Sequence, residues 1–229
     1  MCWLAIAAAT CLILCLAYRR RDEKARRRLE LWVAGLILLS EVVKELALVI
    51  AGEYSVYYLP LHLCGLAIFI SLVHAAKGWT FTGELLYSTC MPGAACALLF
   101  PDWVRYPVFN FLSINSFFVH ILLTAYPMML FSGGKIKPGA RRLPYCFLFL
   151  VAISVPIYFF DKRIDANFLF LNWPSPGSPL VWFEKWLGNP GYILGYIPMA
   201  AVVWTTLYLP VELRRKKRKK QFPDTLAGN

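Results

Sequence analysis

The sequence is poor in acidic residues and nearly without histidine, with 13 Asp and Glu and three His among 229 residues. Charged residues of both signs make up only 16% of it. It has no C-x-x-C pair, and its cysteines are odd in number: Cys2, Cys11, Cys15, Cys64, Cys90, Cys96 and Cys146. Most of them lie inside apolar runs. These absences exclude a disulfide framework and a zinc site of the usual spacing, so no metal and no cofactor is expected. Each thiol reads first as a small buried hydrophobe; only Cys64 stands in a context that resists that reading. A basic n-region is missing too. Met1 to Ala17 is apolar, and the basic cluster (Arg19, Arg20, Arg21, Lys24, Arg26, Arg27, Arg28) comes after it. That order suits an uncleaved first helix with its N-terminus outside, not a secretory signal. Cys15 follows a leucine rather than a small residue, which excludes a lipoprotein cysteine.

What the chain has in excess is apolar surface. Hydrophobic residues are 59% of it and the mean hydropathy is +0.56. A soluble domain has roughly 45–50% apolar residues, so one core cannot hide this much. The formal net charge of +11 would suit nucleic acid in a soluble protein. Here the basic residues sit in short runs between apolar segments, which is how a membrane protein fixes its orientation, so no nucleic-acid partner is expected.

A spanning helix needs about 20 mostly apolar residues. Seven segments meet or approach this: Trp3–Tyr18, Leu29–Ala51, Leu59–Ala76, Glu84–Phe100, Pro107–Phe131, Leu143–Phe160 and Gly191–Pro210. With the N-terminus outside, 19 of the 24 Lys and Arg fall in cytoplasmic segments and four in outer ones, Arg105, Lys162, Arg163 and Lys185. Lys44 lies within a helix. Removing any one helix would put the last two basic clusters on opposite sides, so the count supports seven spans as well as their direction. The expected fold is an all-α polytopic membrane helix bundle with seven transmembrane helices and a cytoplasmic C-terminus. Residues 1–211 would form one transmembrane domain and 212–229 a basic tail whose run RRKKRKK (214–220) touches anionic lipid. The expected location is the cell membrane. The loop Asp161–Pro190, with NWPSPGSP at 172–179, is too rich in turn residues to be regular throughout. Tyr57, Tyr58, Trp103, Tyr106, Trp182, Trp186 and Tyr192 read as interfacial aromatics.

Polar groups inside a bilayer are costly and usually mark function. Three sets qualify. Leu59-Pro60-Leu61-His62-Leu63-Cys64-Gly65 opens helix 3. His62 and Cys64 are two residues apart, so on a regular helix they point about 200° apart and only one faces a site. An irregular turn after Pro60 would lift that restriction. The plainer reading is an interfacial His and a packing Cys. In helix 5, Ser113, Ser116, His120 and Thr124 follow at steps of three, four and four and share one face. His120 near mid-helix must find a partner inside the bundle, for structure or for chemistry. Helix 2 carries Glu41, Lys44 and Glu45, with Glu41 on one face with both others. They act either as internal glue or as the lining of a polar cavity or proton path.

A Cys and a His together make a nucleophile and its base, since a thiol attacks an acyl ester as thiolate. Cys64 and His120 fall in different helices, about 6–10 Å apart in depth at 1.5 Å per residue. A tilt or a kink would be needed to bring them together.

Several of these residues form a pattern. Leu59-Pro60-Leu61-His62-Leu63-Cys64, Pro92-Gly93-Ala94, Leu98 to Pro101-Asp102 and the His120 helix come first. Asn167-Phe168-Leu169-Phe170-Leu171 with Pro174, then Gly188, Pro190 and Tyr192, follow. Over residues 29–211 this chain resembles the YwaF-like family of bacterial integral membrane proteins. That family is similar to a eukaryotic multi-pass phospholipid acyltransferase that moves polyunsaturated acyl chains onto lyso-ether-phosphatidylethanolamine. More distantly it resembles androgen-induced membrane hydrolases of fatty-acid esters, which use a Thr nucleophile. The resemblance implies that Cys64 is the nucleophile and His120 the base.

The leading expectation is therefore a lipid acyltransferase or acyl hydrolase with membrane phospholipid as substrate. His62, Ser113, Asn115, Ser116, Thr124 and Asn167 are its substrate-binding candidates, Asn115 or Asn167 holding the oxyanion. Two alternatives stay open. A small-solute or proton-coupled transporter would use Glu41, Lys44, Glu45 and His120 as a relay. A non-catalytic membrane scaffold would tolerate the loss of any of them.

Overall fold

The computed structural model describes residues 2–101, 103, 107 and 109–221, without the side chains of 218–220. Asp102, Arg105 and Tyr106, which entered the sequence reading, lie outside these residues, as do 222–229 of the basic tail. The protein is all-α, about 80% helical, with no strand among the described residues. Its helices are α1 (Cys2–Arg19), α2 (Glu23–Ile50), α3 (Leu63–Lys77), α4 (Thr80–Leu85), α5 (Met91–Leu99), α6 (Phe111–Ser132), α7 (Leu143–Ile164), α8 (Leu180–Leu187) and α9 (Tyr196–Gln221). A π-helical turn, Leu86–Cys90, joins α4 to α5 without a break.

Each of the seven apolar segments holds helix. Four helical stretches are long and apolar enough to cross a membrane: Cys2–Arg19, Phe111–Ser132, Ala140–Ile164 and Gly191–Lys217. The others fall short for local reasons. Helix α2 is long, but Glu41, Lys44 and Glu45 interrupt its apolar run. Helix α3 is only 15 residues, and the fourth segment is interrupted by the π turn.

Capping residues set several boundaries. Asp22 opens α2 by accepting from the Ala25 N–H at 2.7 Å, and Asn110 opens α6 by accepting from Leu112 N–H at 2.8 Å. Gly78 closes α3 in the left-handed conformation. Helix α9 runs through Pro210 and carries the start of the basic run out as continuous helix.

Helix α6 is the axis of the bundle. It packs on α1, α2 and α5, and its second half is buried nearly all round, through Ile121, Leu123, Tyr126 and Leu130. The outward faces of α1, α2, α7 and α9 carry exposed Leu, Ile, Val and Phe, which is the surface a lipid solvent tolerates and water does not.

A clasp closes the end of the bundle where α4, the start of α7 and α9 meet. The buried Glu84 carboxylate accepts from the Gly139 N–H (3.0 Å), from Arg142 (2.9 Å) and from the Tyr208 hydroxyl. It thereby ties α4 to the start of α7 and to α9. With this many donors a buried carboxylate is satisfied rather than a penalty.

The long loop between α7 and α9 is more ordered than its composition suggests. It contains α8, and its first part is folded by Asn167. The Asn167 side-chain oxygen accepts from the N–H groups of Asn172 (2.9 Å) and Trp173 (3.1 Å), and its amide donates to the Trp173 carbonyl. Leu169 and Phe170 adopt φ of 55° and 53°, a region L-residues rarely visit. The hydroxyls of Tyr196 and Tyr192 hold them there by donating to their carbonyls at 2.8 and 2.9 Å.

Candidate active site

The segment 59–62 is not the first turn of α3. His62 is the N-cap residue, extended at φ −67° and ψ 157°, and the helix starts at Leu63. The chain before it forms a strap folded back over the helix end. Gly65 permits this, because a β-carbon there would stand 2.4 Å from the Pro60 carbonyl oxygen. Gly93 has a matching role on α5, where a β-carbon would meet the Leu63 side chain at 2.7 Å. Two glycines thus let a strap and a helix close on the start of α3. Cys64 is the second residue of that helix, in the turn whose N–H groups lack intrahelical acceptors.

Cys64 Sγ lies 2.9 Å from His120 Nε2. His120 Nδ1 lies 2.7 Å from the Ser116 carbonyl oxygen. A carbonyl only accepts, so Nδ1 carries the ring proton and Nε2 turns its lone pair to the thiol. Trp103 covers one face of the imidazole, stacked at 4.6 Å between ring centres and 23° between planes. The expected separation in depth is closed: α3 begins at Leu63, and its second residue meets His120.

Both residues line one cavity of about 180 Å³. His62, Asn115 and Ser116 share it with them, as do Glu41, Lys44, Tyr57 and Tyr58. The extended backbone at His62 is the irregular turn that lets His62 and Cys64 face the same space. Phe168 and Phe170 of the loop between α7 and α9 pack on the His62 ring at 5.1 and 5.7 Å. Asn115 is oriented by a residue the sequence reading passed over: the Ser40 hydroxyl donates to its Oδ1 at 2.5 Å. That contact reserves the amide NH2 of Asn115 for the cavity.

The charges of α2 form one cluster. Lys44 Nζ lies 2.7 Å from Glu41 and 3.0 Å from Glu45. The contact to Glu45 is an ion pair off the hydrogen-bond direction, and its buried oxygens have no hydrogen-bond partner among the described residues. Glu41 and Lys44 reach the cavity; Glu45 is not part of its lining.

The remaining candidates lie elsewhere. Ser113 is buried with a hydroxyl that has no partner among the described residues, outside the cavity lining. Thr124 donates to the His120 carbonyl at 2.8 Å, one turn further along α6. Asn167 is the clamp of the loop between α7 and α9, not a lining residue. Ser40 and Trp103 are the residues sequence reasoning missed. Ser40 directly precedes Glu41, the one signal of its place; Trp103 carried only the look of an interfacial aromatic.

Among the described residues no group of His, Cys, Asp and Glu is arranged to hold a metal. What the site holds is a thiol, a base of fixed tautomer, an oriented amide and an ion pair, in a small cavity at one end of a bundle.

Residues 1–208 match the model of the TMEM164 family. No curated protein and no solved structure matches the chain.

Proposed function

This chain belongs to the TMEM164 family, a family of multi-pass membrane proteins, and from that premise we propose that it is a membrane-embedded acyl-transfer enzyme acting on phospholipid or fatty-acyl esters. The observation that carries the reading is the 2.9 Å contact between Cys64 Sγ and His120 Nε2, with the tautomer set by the Ser116 carbonyl. A nucleophile, its base and a group that orients the base are the parts covalent acyl transfer needs. The resemblance to YwaF-like proteins and their acyltransferase relative gives these two residues the same roles.

The chemistry balances within the site. His120 Nε2 takes the thiol proton as Sγ attacks the ester carbonyl carbon. The oxyanion that forms is held by the Asn115 amide and by first-turn N–H groups of α3. Collapse breaks the bond to the alcohol, which leaves with the proton from His120. A hydroxyl of a second lipid, or water, then attacks the thioester, giving its proton to His120, and the thiol is restored. The Glu41–Lys44 pair supplies a charged end to the cavity, suited to the polar part of a lipid ester. Seven spans with the N-terminus outside put the start of α3 in the outer half of the bilayer, where an ester bond of that leaflet lies.

The runner-up is a proton-coupled or small-solute transporter, favoured by the same pair, since intramembrane ions that line a cavity mark such paths. One experiment separates the two. The purified protein in nanodiscs is treated with a lipid-like acyl-thiol probe, and intact mass is read for wild type, Cys64→Ala, His120→Ala and Glu41→Gln. Acyl transfer requires an adduct on Cys64 that is lost in the first two variants and kept in Glu41→Gln. An inert Cys64 in folded protein overturns the acyl-enzyme reading and directs attention to transport.

A further inference from the structure

The His120 ring has two polar edges and two faces. The edges are accounted for, Nδ1 by the Ser116 carbonyl and Nε2 by the Cys64 thiol. One face is covered by Trp103 in a near-parallel stack. Trp103 in turn meets the edge of Phe117 at 5.3 Å and 78°, and Phe117 stacks on Trp3 of α1 at 4.7 Å and 6°. A buried tryptophan is usually anchored by its indole N–H. Here that N–H is buried with no hydrogen-bond partner among the described residues. What the ring presents to His120 is its face.

We infer that Trp103 is a positioning residue of the Cys64–His120 pair, its indole face keeping the imidazole in line with the thiol and favouring the imidazolium that forms when the thiol proton crosses. This rests on the acyl-transfer reading only for the identity of the pair. An aromatic face attracts a cation lying over it, and indole does so best. The neutral imidazole gains little from the same contact, so the stack favours the thiolate–imidazolium state, the one in which sulfur is nucleophilic. The titratable or charged groups that line the cavity with His120 are Glu41, Lys44, Tyr57, Tyr58, His62 and Cys64. The elements packed on α6 also carry Cys11, Cys15 and Tyr18 of α1, Glu30 and Glu45 of α2, Tyr87 and Cys90 of the π turn and Cys96 of α5. All are unchanged when Trp103 alone is varied.

The test needs no substrate. The full chain in nanodiscs is alkylated with iodoacetamide across the pH range, and the rate at Cys64 is read by site-resolved mass spectrometry. An ordinary thiol ionises near pH 8.5. Cys64 should react well below that in wild type, and His120→Ala should abolish the low-pH reactivity. Trp103→Leu should move the midpoint up by about one pH unit, the size expected of a desolvated cation–π contact, with Trp103→Phe between. The rate at high pH should stay the same. Stepwise fluorinated tryptophan at position 103 drains the face of charge without changing its shape, and should give a graded shift even where Trp103→Leu does not fold. An unmoved midpoint in the Leu and fluorinated proteins overturns the inference and leaves Trp103 a packing residue. A wild type that titrates as an ordinary thiol, unaffected by His120→Ala, overturns the pair itself, and the two failures are told apart in one data set.

Discussion

The Pro60 carbonyl oxygen lies 2.4 Å from where a β-carbon on Gly65 would stand. The atom opposed is backbone, so no side chain can swing aside to make room. Gly65→Ala must push the strap off the start of α3, and with it His62 and the wall of the cavity. Overpacking of this kind costs about 1–3 kcal/mol. The expected result is a lower unfolding temperature in detergent together with slower acyl-probe labelling of Cys64. Unchanged melting and labelling would mean that something other than this approach sets the strap.

Asn115 and Ser40 should differ in degree. Asn115→Ala removes an oxyanion donor and should slow acylation by roughly 10²–10³-fold. Ser40→Ala leaves the amide in place but free to turn, so its loss should be smaller, about tenfold, with Ser40→Thr restoring it. Rates of probe labelling at saturating probe measure both. Equal effects from the two variants would assign Ser40 a role of its own in the chemistry.

The Glu84 clasp should be essential to the bundle and remote from the chemistry. Glu84→Gln removes the charge from Arg142, and Tyr208→Phe takes away a donor to a buried carboxylate. Breaking such a site by one partner costs about 2–4 kcal/mol, discounted here because Arg142 is partly exposed. Thermal unfolding followed by tryptophan fluorescence should show both losses. The folded fraction should still label at Cys64 with the wild-type rate.

The loop between α7 and α9 depends on side chains that the cavity does not use. Asn167→Ala takes an acceptor from two N–H groups, and Tyr192→Phe and Tyr196→Phe release the carbonyls of Phe170 and Leu169. Each should cost about 1–2 kcal/mol and increase limited proteolysis between 165 and 190. Asn167→Ala should keep its labelling rate at Cys64 whenever the loop stays closed. A hundredfold loss with an intact loop would return Asn167 to the chemistry.

Periodicity and charge placed the helices well. All seven apolar segments hold helix, because runs of apolar residues in this number have no other way to satisfy their backbone. The resemblance to YwaF-like proteins and the TMEM164 match agree at the level of a multi-pass membrane family. The start of α3 was less legible. Leu59 to Gly65 reads as a proline-led helix, and only the packing of Gly65 on Pro60 shows that 59–62 is a strap and that α3 starts at Leu63. For the same reason the depth of Cys64 relative to His120 could not be read by counting residues along two straight helices. Trp103, Ser40 and the Glu84 clasp were out of reach because each acts on a residue far along the chain, and their types alone carry no sign of it. Asn167 shows the reverse: an Asn in a pattern that suggested chemistry serves to fold its own loop.

The π turn between α4 and α5 has a consequence for how this chain tolerates change in length. A π turn holds one residue more than an α-turn of the same rise, so the helix is reset in phase by about 100° at Leu86–Cys90. Trp204 uses the reset, donating to the Ser88 carbonyl at 3.0 Å. Beyond it, Gly93 arrives facing Leu63. Deleting any one residue between 86 and 90 would give a smoother helix and a worse protein, since Gly93 would rotate away from Leu63 and bring a side chain against the Leu63 methyl. The turn works as a spacer in rotation, a vernier that sets α5 against the helix carrying the thiol.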